Sequence, residues 1–121
     1  MQYDNNIPIY LQVIKDIKTR ILQGEMQPGE KMPSARDLAL KYQINPNTAA
    51  RIYKELEQDE ICFTKRGLGT FVTEKEERLN TIREEMAAGL ITTFVKGMKQ
   101  LGYTKADLIH ILEHRYEDIN E

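Results

Sequence analysis

The stretch INPNTAARIYKEL, residues 44–56, constrains the fold more than any other part of the chain. Pro46 has no backbone N–H to donate and would disrupt the interior of a helix, but the first helical turn tolerates it. Asn45, just before it, is a favoured N-cap residue. The stretch therefore predicts a helix that begins at Pro46 and buries apolar residues at helical spacing, namely Ala49, Ile52, Tyr53 and Leu56.

The opposite face of this third helix carries polar and cationic side chains. At about 100° per residue, Asn47, Arg51 and Lys54 lie on the side away from the apolar stripe. Amide and guanidinium groups bind base edges in the DNA major groove, and the first-turn groups of Asn45 and Thr48 suit phosphate oxygens. A polar outward face is also typical of a helix that is simply solvated, so the neighbouring elements must decide between these interpretations.

Two helices are predicted before this one. Apolar spacing predicts helix one over roughly residues 8–23. After the Pro-Gly loop QPGEKMP, the sequence SARD predicts a second helix over residues 35–42, capped by the Ser34 hydroxyl with Asp37 three residues on. A short turn joins this helix to helix three, which is the helix-turn-helix arrangement.

A basic hairpin follows helix three. The runs ICFT and GTFV are β-branched and aromatic, and KRGLG between them supplies two glycines for a tight reversal. Lys65, Arg66 and Gly67 lie at its tip, where glycine permits a close approach to DNA. A helix-turn-helix followed by such a hairpin indicates a winged helix, so the predicted fold class is mainly α with a small β-hairpin.

From Glu74 onward the pattern is helical again, with Gly102 ending one helix and Thr104 opening another. A two-helix hairpin cannot bury the apolar stripe of the first of these helices by itself, whereas a second copy covers it. We therefore predict a winged helix-turn-helix domain over 1–73 and a two-helix dimerisation appendage over 74–121. The candidate interface residues are Leu79, Ile82, Met86, Leu90, Phe94 and Met98.

Charge and composition narrow the function further. The 121 residues carry a formal net charge of −2. Residues 1–73 contain ten Lys and Arg against nine Asp and Glu, a net charge of +1, and residues 74–121 carry −3, so the N-terminal part is the better candidate for a phosphate-facing surface. A single cysteine, no apolar run of about 18 residues and no visible signal peptide predict a cytoplasmic protein with no membrane contact.

Other chemistry has little support in the sequence. Asp107, His110 and His114 recur at one-turn spacing in the last helix, a weak candidate for a divalent metal site that could equally be a solvated or interface face. Cys62 has no histidine partner in the sequence, and buried packing explains it. Because no phosphate loop or catalytic triad pattern is found, we predict no enzyme activity, no cofactor and no metal.

The sequence PGEKMPSARDLALKYQINPNTAARIYKELEQDEICFTKRGLGTFV resembles the DNA-binding domain of GntR-type bacterial transcription regulators. The family motifs Pro-Ser-x-Arg, Leu-Ala and Gly-x-Gly-Thr-Phe-Val are all present. NPNT together with IYKELE is similar to the YtrA-type branch, whose effector domain is a short helical appendage. Two positions depart from the pattern: Glu60 stands where the family usually has glycine, and Ala49 where it usually has a larger aliphatic residue.

This resemblance implies a sequence-specific transcription regulator, more often a repressor than an activator, that binds a two-fold operator in double-stranded DNA as a homodimer. It implies that DNA is contacted by Arg36, by the polar start of helix three (Asn45, Asn47 and Thr48) and by Gly67 at the tip of the hairpin, which is the wing of a winged helix. The alternative is a winged-helix module for protein contacts with no operator of its own. The operator, the regulated genes and any small-molecule effector are not specified by the sequence. The candidate DNA-binding residues are Ser34, Arg36, Asn45, Asn47, Thr48, Arg51, Lys54, Lys65, Arg66 and Gly67.

Overall fold

The computed structural model describes residues 1–119 and divides the chain into two compact units, one of residues 1–83 and one that begins at Glu84. The first unit includes the first turns of the fourth helix, and the predicted division after residue 73 stays a prediction. No helix within residues 1–119 is both long enough and apolar enough to cross a membrane. The elements are α1 (Ile9–Leu22), α2 (Ala35–Tyr42), α3 (Pro46–Gln58), β1 (Cys62–Lys65), β2 (Gly69–Val72), α4 (Glu76–Gln100) and α5 (Lys105–Arg115), followed by a 3₁₀ turn at Tyr116–Asp118.

The core of the first unit lies around one face of α3. Ile52 and Leu56 are fully buried on this helix, which packs against α1, α2 and β1. The core also includes Val13 and Ile17 of α1 and Leu38 of α2, each with no more than 1% of its surface exposed. Burial of each such side chain is worth about 1.5–3 kcal/mol, so this packing fixes which face of α3 points outward.

The turn between α2 and α3 is set by its capping residues. The Ser34 hydroxyl accepts the Asp37 N–H at 3.1 Å and begins α2. Gln43 ends α2 in the left-handed conformation, with φ of 55°. The Asn45 side chain then accepts the Asn47 N–H at 2.7 Å, and α3 begins at Pro46 as predicted. Both helix starts predicted from the sequence are confirmed.

A hydrogen-bonded cluster ties α1 to α2. The Tyr42 hydroxyl donates to the Asp16 carboxylate at 2.7 Å, and the Arg20 Nε donates to the same oxygen at 2.8 Å. Burial raises the pKa of Asp16, but the hydrogen bonds from Arg20 and Tyr42 outweigh it and hold that pKa below its usual value. The carboxylate is therefore ionised at neutral pH and holds the C-terminal end of α2 against α1.

The wing, which is the hairpin of β1 and β2, is extended by a third segment of backbone that was not predicted. β1 and β2 pair antiparallel with Cys62 opposite Val72 and Lys65 opposite Gly69. The segment before α2, predicted as a loop, runs along the other edge of β2: Met32 N–H donates to the Thr70 carbonyl at 2.7 Å, and Lys31 bridges to Phe71. The backbone of this loop therefore completes the sheet, a pairing between distant segments that local patterning does not reveal.

In the second unit, α5 begins with the predicted capping box, in which Thr104 and Asp107 exchange hydrogen bonds. Leu108 is buried, but many of the large apolar side chains of this unit lie in solvent, including Leu90 at 64% and Leu101 at 73% exposure. The described part of the unit therefore leaves the apolar face of α4 largely uncovered.

Candidate nucleic-acid interface

The outward face of α3 has the composition predicted for it. Asn47, Arg51 and Lys54 are exposed, while Ala49 on the opposite side is fully buried. Thr48 is half-buried at the edge of the face. A row of amide, guanidinium and ammonium groups on a rigid helix of 13 residues is the arrangement that enters a major groove.

The start of α2 supplies a second group of polar side chains. Arg36 is exposed in its first turn, and the Ser34 hydroxyl accepts a backbone N–H while its own O–H remains available to donate. Because α2 packs directly against α3, both helix starts belong to one rigid motif. Backbone N–H groups at helix starts attract phosphate oxygens.

The guanidinium of Arg51 is held by two neighbours. Its Cζ lies 3.8 Å from the ring centroid of Tyr10, and its Nε lies 3.3 Å from the Glu55 Oε1. Tyr10 belongs to the first turn of α1, and Glu55 follows Arg51 by four residues along α3. These contacts give the side chain a defined orientation while 57% of it stays exposed.

In the wing, the ammonium of Lys65 lies over a pair of stacked phenylalanine rings. The rings of Phe63 and Phe71 stack with centroids 5.7 Å apart, and the Lys65 ammonium lies 4.9 Å from the Phe71 centroid. Arg66 and Gly67 are exposed at the tip, and Gly67 has φ of 79°, which a glycine adopts without strain.

Three residues that the sequence analysis did not nominate belong to this surface. Lys31 is exposed and runs beside β2, adding a cation to the wing. Tyr10 and Glu55 orient Arg51. The spacing of Arg51 and Glu55 is a visible signal for an i,i+4 ion pair. No sequence signal connects Tyr10 or Lys31 to this surface, because both meet it only through tertiary packing.

The weak metal candidate in α5 does not assemble. The Asp107 carboxylate accepts the Thr104 N–H at 2.8 Å, and hydrogen bonds from the backbone and side chain of Thr104 lower its pKa. The Nδ1 of His114 lies 2.9 Å from the carbonyl oxygen of His110. Among residues 1–119, no group of three His, Cys, Asp or Glu side chains is arranged to hold a metal ion.

Cys62 is buried, and the pKa of its thiol is raised to about 12, by burial first and by the Glu57 carboxylate second. The thiol is therefore neutral at physiological pH. A neutral buried thiol is a packing group and a poor nucleophile.

The predicted interface residues separate into three groups by their exposure. Ile82 is only 2% exposed, so its side chain belongs to the core of the first unit and is not available to a partner. Leu79, Met86 and Met98 are half-buried. Leu90 and Phe94 are exposed in the second unit, at 64% and 39%. The periodic stripe is real, but its N-terminal end is already covered within the chain.

Three helices, of which the second and third form a helix-turn-helix, followed by a hairpin with a basic tip, define a winged helix-turn-helix protein. Residues 9–72 match the family model for bacterial regulatory proteins of the gntR family. The chain belongs to this family. It is also 38% identical over 101 residues to the HTH-type transcriptional repressor YtrA of Bacillus subtilis (strain 168), a match that covers 78% of each chain.

Solved structures agree with this assignment. A GntR family transcriptional regulator from Listeria monocytogenes matches 93% of this chain and 98% of its own, with a TM-score of 0.86 and 37% identity. The DNA-binding domain of AraR in complex with operator ORX1 matches 55% of this chain and 81% of its own, with a TM-score of 0.53 and 28% identity. The resemblance predicted from the sequence is confirmed, and the protein is a DNA-binding transcription regulator and not an enzyme.

Proposed function

We propose that the protein binds a two-fold operator in double-stranded DNA as a homodimer and represses the adjacent genes. One observation carries the proposal: the exposed row of Asn47, Arg51 and Lys54 lies opposite the buried face of α3, on a helix followed directly by the basic wing. Such a helix reads base edges in the major groove, while a wing reaches a neighbouring minor groove or backbone.

Phosphate contacts in this proposal come from the helix starts and the wing. Ser34 and Asn45 stand at the N-caps of α2 and α3, where backbone N–H groups attract phosphate. Lys65, Arg66 and the neighbouring Lys31 neutralise phosphates beside the wing. Base reading falls to Arg36 and, on the outward face of α3, to Asn47 and Arg51, while Lys54 on the same face supplies a further phosphate contact.

The homodimer is supported by the apolar surface of the second unit. Leu90 and Ile91 of α4 are 64% and 61% exposed, and Tyr116 after α5 is 70% exposed. Large apolar side chains clustered on one unit are unusual in a monomer, and a two-fold axis covers the same surface on both copies at once. One helix-turn-helix reads a half-site, so two copies match a palindromic operator.

Repression is supported by the similarity to YtrA, which is named as a repressor. A dimer that occupies an operator across a promoter excludes the polymerase. Since the proposed operator lies on a bacterial chromosome, the proposal also places the protein in the cytoplasm.

Footprinting on the DNA upstream of its own gene tests the proposal. We expect one protected region with two half-sites about one helical turn, or a multiple of it, apart. Affinity should fall steeply with salt, because bound phosphates release counterions. A protein that protects no sequence at low salt, or binds all duplexes equally, would support the alternative of a winged-helix module for protein contacts.

A further inference from the structure

We propose that Tyr10 and Glu55 position Arg51 to read a guanine, so that a residue of α1 sets part of the base specificity. The inference rests on the proposed function, since it gives a role to a side chain on the proposed DNA surface. It deepens that function by naming the base that Arg51 recognises and the residues that orient it.

Arg51 is oriented before DNA binds. Its guanidinium plane has the Tyr10 ring 3.8 Å from Cζ, and its Nε has the Glu55 carboxylate at 3.3 Å. A free arginine side chain samples many rotamers, and a contact that requires one of them is weakened accordingly. In the unbound protein, stacking on Tyr10 and the ion pair with Glu55 already restrict Arg51 to one orientation. Little side-chain entropy is therefore lost when it binds DNA.

The terminal edge of the Arg51 guanidinium remains available to DNA. With Nε directed at Glu55, the two terminal nitrogens Nη1 and Nη2 make no hydrogen bond to any of residues 1–119. Two parallel donors at the end of a guanidinium match the O6 and N7 acceptors of guanine in the major groove. Adenine places a donor where guanine has O6 and does not accept both.

Glu55 makes a base a better ligand for Arg51 than a phosphate. Glu55 offsets the charge of Arg51, and its carboxylate, 32% exposed, would repel a phosphate brought to the same place. Lys54 has no carboxylate within 4.0 Å of its ammonium among the described residues and suits phosphate better. Arg51 is therefore placed as a directional donor rather than as a neutralising charge.

One test needs no DNA. In a proton–nitrogen NMR spectrum of the full chain, the Nε–H of Arg51, assigned by its loss in Arg51→Lys, should exchange slowly with water. Tyr10→Leu should accelerate this exchange, and Tyr10→Phe, which keeps the ring, should preserve it. An Arg51 signal that is equally labile in wild type and Tyr10→Leu would overturn the proposed positioning.

The second test uses duplexes selected from a randomised library by the full-length protein. Each G·C pair of the selected site is exchanged for A·T, and we expect one pair per half-site at which wild type loses about tenfold in affinity. Tyr10→Leu and Glu55→Ala should reduce this loss to about threefold or less. For an unrelated duplex, the affinity of Tyr10→Leu should change less than its affinity for the selected site, and the affinity of Glu55→Ala should rise because the carboxylate that repels phosphate is gone. Tyr10→Phe should discriminate like wild type.

The outcomes separate the two hypotheses. If wild type selects no sequence, both the operator and the guanine contact are refuted. If it selects a site but Tyr10→Leu and Glu55→Ala keep full discrimination, or lose affinity equally for all duplexes, only the positioning role fails. Should Tyr10→Leu not fold by circular dichroism, Glu55→Ala on the surface of α3 decides the question.

Discussion

The side chain of Lys31 lies across Gly69 at the base of the wing. A β-carbon added to Gly69 would come 2.9 Å from the Lys31 Cε, and Gly69 has φ of 120°. The loop before α2 and the second strand of the wing therefore approach each other at a point where only glycine fits without a shift.

Replacing Gly69 by alanine should lower the free energy of unfolding by about 1–3 kcal/mol, because alanine is strained at a φ of 120° and the flexible end of Lys31 must also move aside. Urea denaturation followed by circular dichroism at one protein concentration measures it. Gly67→Ala is the matched control, since Gly67 also has positive φ but nothing lies within 4 Å of an added β-carbon. A Gly69→Ala variant that costs no more than Gly67→Ala would contradict this prediction.

Glu60 occupies a backbone position that suits glycine. Its φ is 59°, in the left-handed region, just before β1. Glu60→Gly should therefore raise the free energy of unfolding by roughly 0.5–1 kcal/mol, the relief of backbone strain less the extra entropy of a glycine in the unfolded chain. Glu60→Gln keeps the strain but removes the exposed pair with Lys75, and it should change little. A destabilised glycine variant would contradict this reasoning.

Base reading should depend on Arg36 and Asn47. Arg36→Ala and Asn47→Ala should each weaken operator binding by about 1–3 kcal/mol, the worth of a good base contact. Both side chains are exposed and are not part of the core, so the variants should fold. Lys15→Ala, an exposed cation of α1 outside the proposed surface, is the control for charge alone. Unchanged operator affinity in both folded variants would remove these residues from the interface.

The wing should contribute affinity without sequence preference. Lys65→Ala combined with Arg66→Ala should weaken binding to all duplexes and reduce the slope of log affinity against log salt by up to about two units. Titrations of operator and unrelated DNA at several salt concentrations measure it. A loss confined to one base pair would instead show that the wing reads sequence.

The sequence predicts well whatever depends on local chemistry. Asn45 and Pro46 determine the start of α3, Ser34 that of α2, and the glycines around Leu68 the reversal of the wing. In each case, the residue that carries the signal also makes the capping hydrogen bond or adopts the turn conformation. The outward face of α3 follows from the same local periodicity.

Contacts between distant segments escape the same reasoning. In the sequence, Tyr10 is one more apolar position of helix one, yet in the structure its ring stacks against the guanidinium of Arg51 in α3. Ile82 and Leu90 repeat on one stripe of α4, but Ile82 is buried within the first unit and Leu90 is exposed. Periodicity identifies a face, and only the packed chain shows which part of that face is already covered.

The second unit carries an exposed apolar surface on α4. Phe94 lies on α4 with 39% of its surface exposed, beside Leu90 and Ile91 at more than 60%. In the proposed dimer, a two-fold axis brings both copies of this surface together. A single substitution therefore changes the interface at two places, once on each copy. A carboxylate at Phe94 would have to be buried there without a partner, at a cost of several kcal/mol per charge.

Phe94→Glu should therefore convert the dimer to a monomer while the first unit stays folded, and operator affinity should fall steeply because each half-site is then bound independently. Analytical ultracentrifugation at tens of micromolar protein, with circular dichroism as the folding check, measures the change. Thr92→Glu adds the same charge two residues away, about 200° around the helix, and should remain dimeric with full operator affinity. A wild-type protein that sediments as a monomer, or a Phe94→Glu variant that remains a dimer, would refute dimerisation through this surface.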